Sequence, residues 1–307
     1  METVFKQSLE CFNSTDVQIL IDTINSKMLI VSWVIFTVAL PIICVALYGL
    51  YFLIRTDHVA PVYVINLLVS DVLQICIRPI LHMVSPLNAV YAVIVSTYFS
   101  CVMVNVCFMV CIAAERYLMV VFPVWYRFHR SFKKSVCVSS IAWLVPIMTR
   151  LIALLMFIMG GIHCSQFFIG PVIFYLLPYP LIMFFFVGTW RALSKSTSVS
   201  PQEQRWIMGT LALVLCIYTV FFLPYTVSMV ISIAFGWKAY MLDLRILCET
   251  LLCMNPVLDP LLYVFLRKDA KYILDAFPCC HCERKDQVQP ETSSPIATDK
   301  GYEETQT

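Results

Sequence analysis

The stretch AVYAVIVSTYFSCVMVNVCFMVCIAAERYLMV, residues 89–120, decides the fold. No charged side chain interrupts it before Glu115, and Asn105 is its one amide. A helix needs about 20 mainly apolar residues to cross a bilayer, whereas a barrel strand is about 10 residues of alternating character. The run is too long and too uniformly apolar for a strand, so it reads as a membrane-spanning helix. Working outward, similar windows lie at 28–54, 59–84, 135–159, 167–193, 206–235 and 241–266. Short polar or Pro/Gly-marked connections separate them: Arg55 to His58, Ser85-Pro86, Phe122-Pro123, Gly160-Gly161, Ser194 to Arg205 and Gly236 to Lys238. Composition agrees: of 307 residues 60% are hydrophobic and only 13% charged, with mean hydropathy +0.83. Soluble domains are about a quarter charged, so a soluble fold is excluded. The net charge of +2 is far from the basic footprint of a nucleic-acid binder. The fold class is all-α membrane, a seven-transmembrane helix bundle.

Orientation follows from the Lys/Arg bias of short loops. One side carries Arg55, Arg127, Arg130, Lys133, Lys134, Arg191, Lys195, Arg205, Arg267, Lys268 and Lys271; the other has Lys6, Lys27 and Lys238. The predicted organisation is an extracellular N-terminus at 1–27, the bundle at 28–266, a short amphipathic membrane-surface helix at 267–277 and a disordered cytosolic tail at 278–307. A plasma-membrane location fits this polarity. Residues 1–20 lack the apolar core of a cleavable signal, so the first span is expected to act as the insertion signal. Asn13-Ser14-Thr15 is a glycosylation acceptor on the predicted outer face. In 267–277, Tyr272, Ile273, Ala276 and Phe277 oppose Lys268, Asp269, Lys271 and Asp275, the pattern of an interfacial helix. Cys279, Cys280 and Cys282 follow at once, and juxtamembrane cysteines point to palmitoylation. A zinc site with His281 is the rival, but adjacent cysteines match zinc-ligand spacing poorly.

Each ionisable group inside a span costs about 2.5–3.5 kcal/mol at mid-helix, so those present invite a functional reading. At about 1.5 Å per residue, Arg78 lies roughly 9 Å below the outer end of its helix, and Arg150 and Glu249 roughly 12 Å. They form an outer layer. As a ligand pocket, Arg78 or Arg150 would take an anionic group. The alternative is an internal Arg78–Glu249 salt bridge, with Arg150 snorkelling to headgroups. Asp71, Asn105 and Asn255 lie roughly 20–24 Å down, with Asp259 one turn deeper. This inner layer reads either as a hydrated ion and proton pocket or as a hydrogen-bond cluster that only holds the bundle together. Asn255 and Asp259, spaced i, i+4, share a helix face. Pro79, Pro146, Pro178, Pro224 and Pro260 are expected to interrupt five spans and to kink them.

The motifs then fall in order along the chain. Asn66-Leu67-Leu68-Val69-Ser70-Asp71 stands in the second span, Glu115-Arg116-Tyr117 ends the third, with Pro123 beyond it, and Trp143 lies in the fourth. Phe221-Phe222-Leu223-Pro224 stands in the sixth, and Asn255-Pro256-Val257-Leu258-Asp259-Pro260-Leu261-Leu262-Tyr263 in the seventh. With these motifs the chain resembles a rhodopsin-like (class A) G-protein-coupled receptor over about residues 28–277. The resemblance implies that Arg116 is the cytosolic switch, held by Glu115 when inactive, and that Tyr263 swings inward with Pro260 as hinge. It implies that Phe222 is a toggle and that helix 6 moves outward about Pro224. Asp71, Asn105, Asn255 and Asp259 would form a sodium-type pocket, no other cofactor being expected, in which neighbouring carboxylates favour a bound cation or a shared proton. The implied partners are a heterotrimeric G protein, arrestin, receptor kinases, an extracellular ligand and membrane lipid.

Departures from that pattern carry their own expectations. Ile43 stands where the first span of the family carries Asn, and Tyr91 where the third begins with a disulfide-forming Cys, which leaves Cys164 without its usual partner. Gln204 and Arg205 stand where many relatives place an acid that locks Arg116, which implies a weaker inactive lock and basal activity. Asp259, Pro79 and the Phe222-Leu223-Pro224 motif resemble the branch with nucleotide, lysolipid, hydroxy-acid and proton-sensing receptors. For proton sensing, the outer histidines available are His82 and His163, near Asp243 and Glu249. The expected function is to transduce an extracellular ligand (an anionic small molecule, a lysolipid or protons) to G proteins. The competing function is a receptor-shaped scaffold or decoy that does not signal. An enzyme is not expected, because nucleophile–base, metal-spacing and phosphate-loop motifs are missing. An opsin would need a lysine in the seventh span, and a transporter repeat symmetry.

Overall fold

A computed structural model describes residues 15–57, 61–85, 89–129, 131–160, 164–195, 201–235 and 242–262. The regular elements among them are helical. The first span is α1 (Thr15–Asp57), which starts well ahead of its expected window. The second is α2 (Val62–Met83) and the third α3 (Ala89–Val121). A short α4 (Pro123–His129), not expected from the sequence, precedes the fourth span, α5 (Phe132–Ile158). The fifth comprises α6 (Cys164–Leu176) and α7 (Pro178–Lys195). The sixth comprises α8 (Pro201–Ile217), a π turn (Tyr218–Phe222) and α9 (Leu223–Phe235). Last comes α10 (Leu242–Leu258). Among the described residues, 6 helical stretches are long and apolar enough to cross a membrane. The described part of α10 is shorter, at 17 residues, and packs against α1 and α9.

Local sequence explains the boundaries. Pro61 precedes α2, where its missing N–H costs nothing, and its carbonyl accepts from Val64 and Ile65 N–H at 3.1 Å. Beyond α5, Gly160 turns the chain at φ 72°, a left-handed conformation that glycine adopts without a Cβ penalty. The expectation of five proline-interrupted spans needs correction. Pro79 and Pro146 lie inside helices that run through them unbroken, because neighbouring groups in a bundle re-satisfy the freed carbonyl. Pro178 opens α7 after a break at Leu177, and Pro260 sits in the turn that follows α10. Pro224 acts through the preceding turn: its ring would meet the carbonyl four residues back, and the ladder there widens to a π register, with Leu223 N–H bonding Tyr218 C=O. Such bulges concentrate at functional positions.

The third span is the hub. It is 72% buried over its most apolar window, against 28% for the first, fourth and fifth spans. It packs against α2, α5 and α7. On α2, Val64, Leu67, Leu68, Asp71, Ile75 and Arg78 form one buried stripe at helical spacing. Asn66 on the flank of α2 accepts from Trp143 Nε1 at 2.9 Å, tying the second span to the fourth. The faces turned outward are apolar, with Ile30 69%, Val34 57% and Ile141 54% exposed. Lipid is the solvent that suits them.

Candidate functional site

The residues predicted for the inner layer meet. Asp71 comes from α2, Asn105 from α3, Asn255 from α10 and Asp259 from the turn after it, all fully buried. Asn105 Nδ2 donates to Asp71 Oδ1 at 2.6 Å and to Asp259 Oδ2 at 2.9 Å, so one amide serves both carboxylates. Asn255 Nδ2 donates to Asn105 Oδ1 at 3.2 Å and, across one helical turn, to Asp259 Oδ2 at 2.8 Å. Gln74 Nε2 adds a longer bond to Asp71 Oδ1 at 3.4 Å. Three oxygens in the cluster, Asp71 Oδ2, Asp259 Oδ1 and Asn255 Oδ1, are buried with no donor among the described residues. Buried acceptors without partners are costly, and hard oxygen ligands of this kind fit a hard cation.

The outer layer is an ion cluster against aromatic rings. Arg78 Nη2 meets Glu249 Oε2 at 3.2 Å, and Arg245 Nη2 meets Glu249 Oε1 at 3.1 Å. Two guanidiniums thus share one carboxylate. Arg78 also stacks over Tyr98, its Cζ 4.8 Å from the ring centroid, a geometry in which the ring face attracts the cation. Arg150, expected at the headgroups if the salt bridge forms, is instead 1% exposed, with its Cζ 5.8 Å from the Phe99 centroid. Its helix faces α3, so the side chain turns into the bundle rather than along the lipid. Tyr175, Tyr225 and Phe99 form a continuous aromatic group, with Tyr225 6.2 Å from Phe99 and 6.4 Å from Tyr175. His82 lies nearby on α2, its Nδ1 3.1 Å from Asn25 Oδ1.

Between the layers, the predicted toggle Phe222 is buried and stacks on Tyr218 at 5.3 Å. The Tyr218 hydroxyl donates to the Tyr175 carbonyl, which joins the π turn to the fifth span. Pro260 is buried and Pro224 half-buried. At the far end of the third span, Glu115, Arg116 and Tyr117 are half-buried, and Glu115 Oε1 accepts from Tyr126 of α4 at 2.6 Å. Tyr117 packs on Phe184 and Phe185 at 5.5 and 5.3 Å. A Cβ on Gly188 would lie 2.6 Å from the Tyr117 ring. We expect Gly188→Ala to displace that ring and to lower stability by about 1–3 kcal/mol, measured by thermal unfolding. Adding Tyr117→Ala should relieve the loss; an unchanged melting temperature in Gly188→Ala would refute the notch.

Asn13, His163, Tyr263, the 267–277 segment, Cys279, Cys280 and Cys282 lie outside the described residues. Several neighbours of the site were not anticipated. Arg245 carries a readable signal, four residues before Glu249 on one helix face. Gln74 carries a similar signal, three residues after Asp71 on one helix face, whereas Tyr98, Tyr126 and Gly188 carry none, because each matters through a contact with another helix.

The family model described as "7 transmembrane receptor (rhodopsin family)" matches residues 44–263. The chain belongs to that family, the rhodopsin-like class A G-protein-coupled receptors, and so is a multi-pass membrane receptor of seven-span fold and not an enzyme. Membership implies coupling to a heterotrimeric G protein and an extracellular ligand. Among relatives, G-protein coupled receptor 68 of Bos taurus is 27% identical over 278 residues, 76% of this chain and 72% of that protein. The Homo sapiens counterpart is 26% identical over 274 residues, 76% and 71% of the two chains. Proteinase-activated receptor 1 of Bos taurus is 22% identical over 280 residues, 81% of this chain and 65% of that one.

Proposed function

We propose that this receptor responds at the plasma membrane to an extracellular ligand bearing an anionic group, taken by the outer layer. The observation that supports it is the gathering of guanidiniums there: Arg78 and Arg245 both meet Glu249, and Arg150 is buried beside the same aromatic group. A small anion and the headgroup of a lysolipid share that chemistry. In this reading Asp71, Asn105, Asn255 and Asp259 hold a sodium ion. Such an ion would supply positive charge to a site with two carboxyl groups, and Asp71 and Asp259 would be the residues that hold it. Binding in the outer layer releases Phe222 and the π turn, the sixth span moves about Pro224, and Arg116 is freed from Glu115 to meet the G protein. Pro260 and Tyr263 complete the cytosolic switch. Glycosylated Asn13, the amphipathic segment 267–277 and acylated Cys279, Cys280 and Cys282 complete the membrane arrangement.

The test is basal G-protein activation in cells, wild type against Arg116→Ala, at matched surface expression. With Gln204 and Arg205 in place of a locking acid, wild type is expected to signal above background and the variant to fall to it. Equal signals, with no gain from a panel of anionic metabolites and lysolipids, would favour the non-signalling scaffold.

A further inference from the structure

The short helix α4 presents its apolar side chains outward, past the end of a span. At 3.6 residues per turn, Val124, Trp125 and Phe128 fall within about 100° of one another, and Tyr126 lies on the opposite side. Tyr126 turns inward to Glu115, so the apolar face looks away from the bundle, with Val124 69%, Trp125 50% and Phe128 82% exposed. The Trp125 ring is braced by His129, stacked on it at 4.6 Å. Phe122 before the helix and Phe132 after it are exposed as well. Outward apolar groups are expected along a span, but α4 follows a helix of 33 residues. That is about 50 Å of rise against a hydrocarbon core of about 30 Å, which brings α4 to the level of the headgroups.

Charge beside this face has one sign. Arg127 of α4 and Lys133 and Lys134 of α5 are exposed, and the sequence holds no Asp or Glu from Arg116 to Gln202. Lys133 and Lys134 stand in the first turn of α5, which carries no acid. Cations are disfavoured at that end of a helix, so helix stability does not account for them. Bulky apolar side chains flanked by Lys and Arg are how a surface helix holds an anionic bilayer. We propose that α4 and the first turn of α5 form a binding face for anionic phospholipid headgroups. Trp125 and Phe128 enter the boundary between headgroups and acyl chains, and Arg127, Lys133 and Lys134 meet the phosphates and carboxylates. A zwitterionic lipid accommodates the aromatic pair but leaves the three cations without an excess of anions, so the face distinguishes the two lipid classes.

Native mass spectrometry of the purified full chain in detergent, titrated with phosphatidylserine or phosphatidylcholine, tests this. It needs neither a ligand nor a G protein, so its outcome is separate from that of the signalling proposal. Wild type should bind phosphatidylserine more tightly than phosphatidylcholine. Each cation near an anionic surface strengthens binding about fivefold. Arg127→Gln, Lys133→Gln and Lys134→Gln together should therefore weaken phosphatidylserine binding by at least about tenfold and leave phosphatidylcholine binding unchanged. Trp125→Ser with Phe128→Ser should weaken the binding of both lipids. The five side chains are exposed, and a melting temperature in detergent checks that each variant is folded. Should the triple variant not fold, Arg127→Gln alone takes its place, with an expected loss of about fivefold. As a comparison, Arg191→Gln with Lys195→Gln neutralises exposed cations at the end of α7 and should bind phosphatidylserine like the wild type. A loss there equal to that of the α4 variant would mean diffuse attraction to basic loops and would overturn the proposal. Undiminished phosphatidylserine binding in the triple variant would overturn it too, and if G-protein activation alone were lost the face would be a protein interface.

Discussion

Glu249→Leu is expected to be the most damaging single change in the outer half of the bundle. The carboxylate is the shared partner of Arg78 and Arg245, and the side chains are 7%, 16% and 12% exposed for Arg78, Arg245 and Glu249. Removing one member of a buried ion pair costs about 3–5 kcal/mol, mostly because the remaining charge stays desolvated. Here two cations lose a carboxylate that both of them contact. The melting temperature should fall by on the order of 10 °C, and surface expression with it. Charge, rather than volume, is the cause, so Arg78→Met and Arg245→Met added to Glu249→Leu should recover most of the loss. An apolar replacement of a whole ion-pair network is often neutral or stabilising. If Glu249→Leu alone melts like the wild type, the cluster is solvated and the desolvation argument fails.

Asp259→Asn is expected to act in the opposite direction. In the inner layer two carboxylates share the amide of Asn105, while Asp71 Oδ2 and Asp259 Oδ1 lack donors among the described residues. Asparagine at 259 removes one carboxyl group from the pair and brings N–H donors of its own to a site short of them. Satisfying a buried acceptor is worth about 1–3 kcal/mol, a rise of several degrees in melting temperature. The same substitution should abolish dependence on sodium. Wild type should melt higher in sodium than in choline, because a ligand that binds the native state stabilises it; the variant should melt at one temperature in both. A destabilised variant that keeps its sodium response would show that the pair is held by packing rather than by the cation.

The two layers differ in how far they can be read without coordinates. Asn255 and Asp259 are four residues apart, so their proximity one helical turn on is legible, and they are hydrogen-bonded. That one amide of Asn105 would serve both Asp71 and Asp259 depends on the rotation of three helices about their own axes. Those rotations are set by how their side chains interlock. Depth along a span follows from residue counting, since the rise per residue is constant, and it places Arg78, Arg150 and Glu249 at similar levels. Azimuth does not follow. Arg150 could face headgroups or the bundle, and its burial beside Phe99 is decided by the packing of α5 on α3. The π turn at Tyr218–Phe222 lies beyond local reading too, because a proline in a span permits an unbroken helix, a break or a bulge. The chain uses the first at Pro79 and Pro146, the second at Pro178 and the third before Pro224.

What the sequence by itself determined is the membrane, the helical class, the span positions, the family and the identity of the polar residues within the spans. Apolar length and the cost of unsatisfied backbone in lipid leave little else open. Only the tertiary structure decided which of those polar groups face one another across the bundle: Glu249 on Arg78, Asn105 between two aspartates and Trp143 on Asn66. These contacts join residues far apart in the chain, and their geometry comes from the packing of whole helices, which no local pattern encodes.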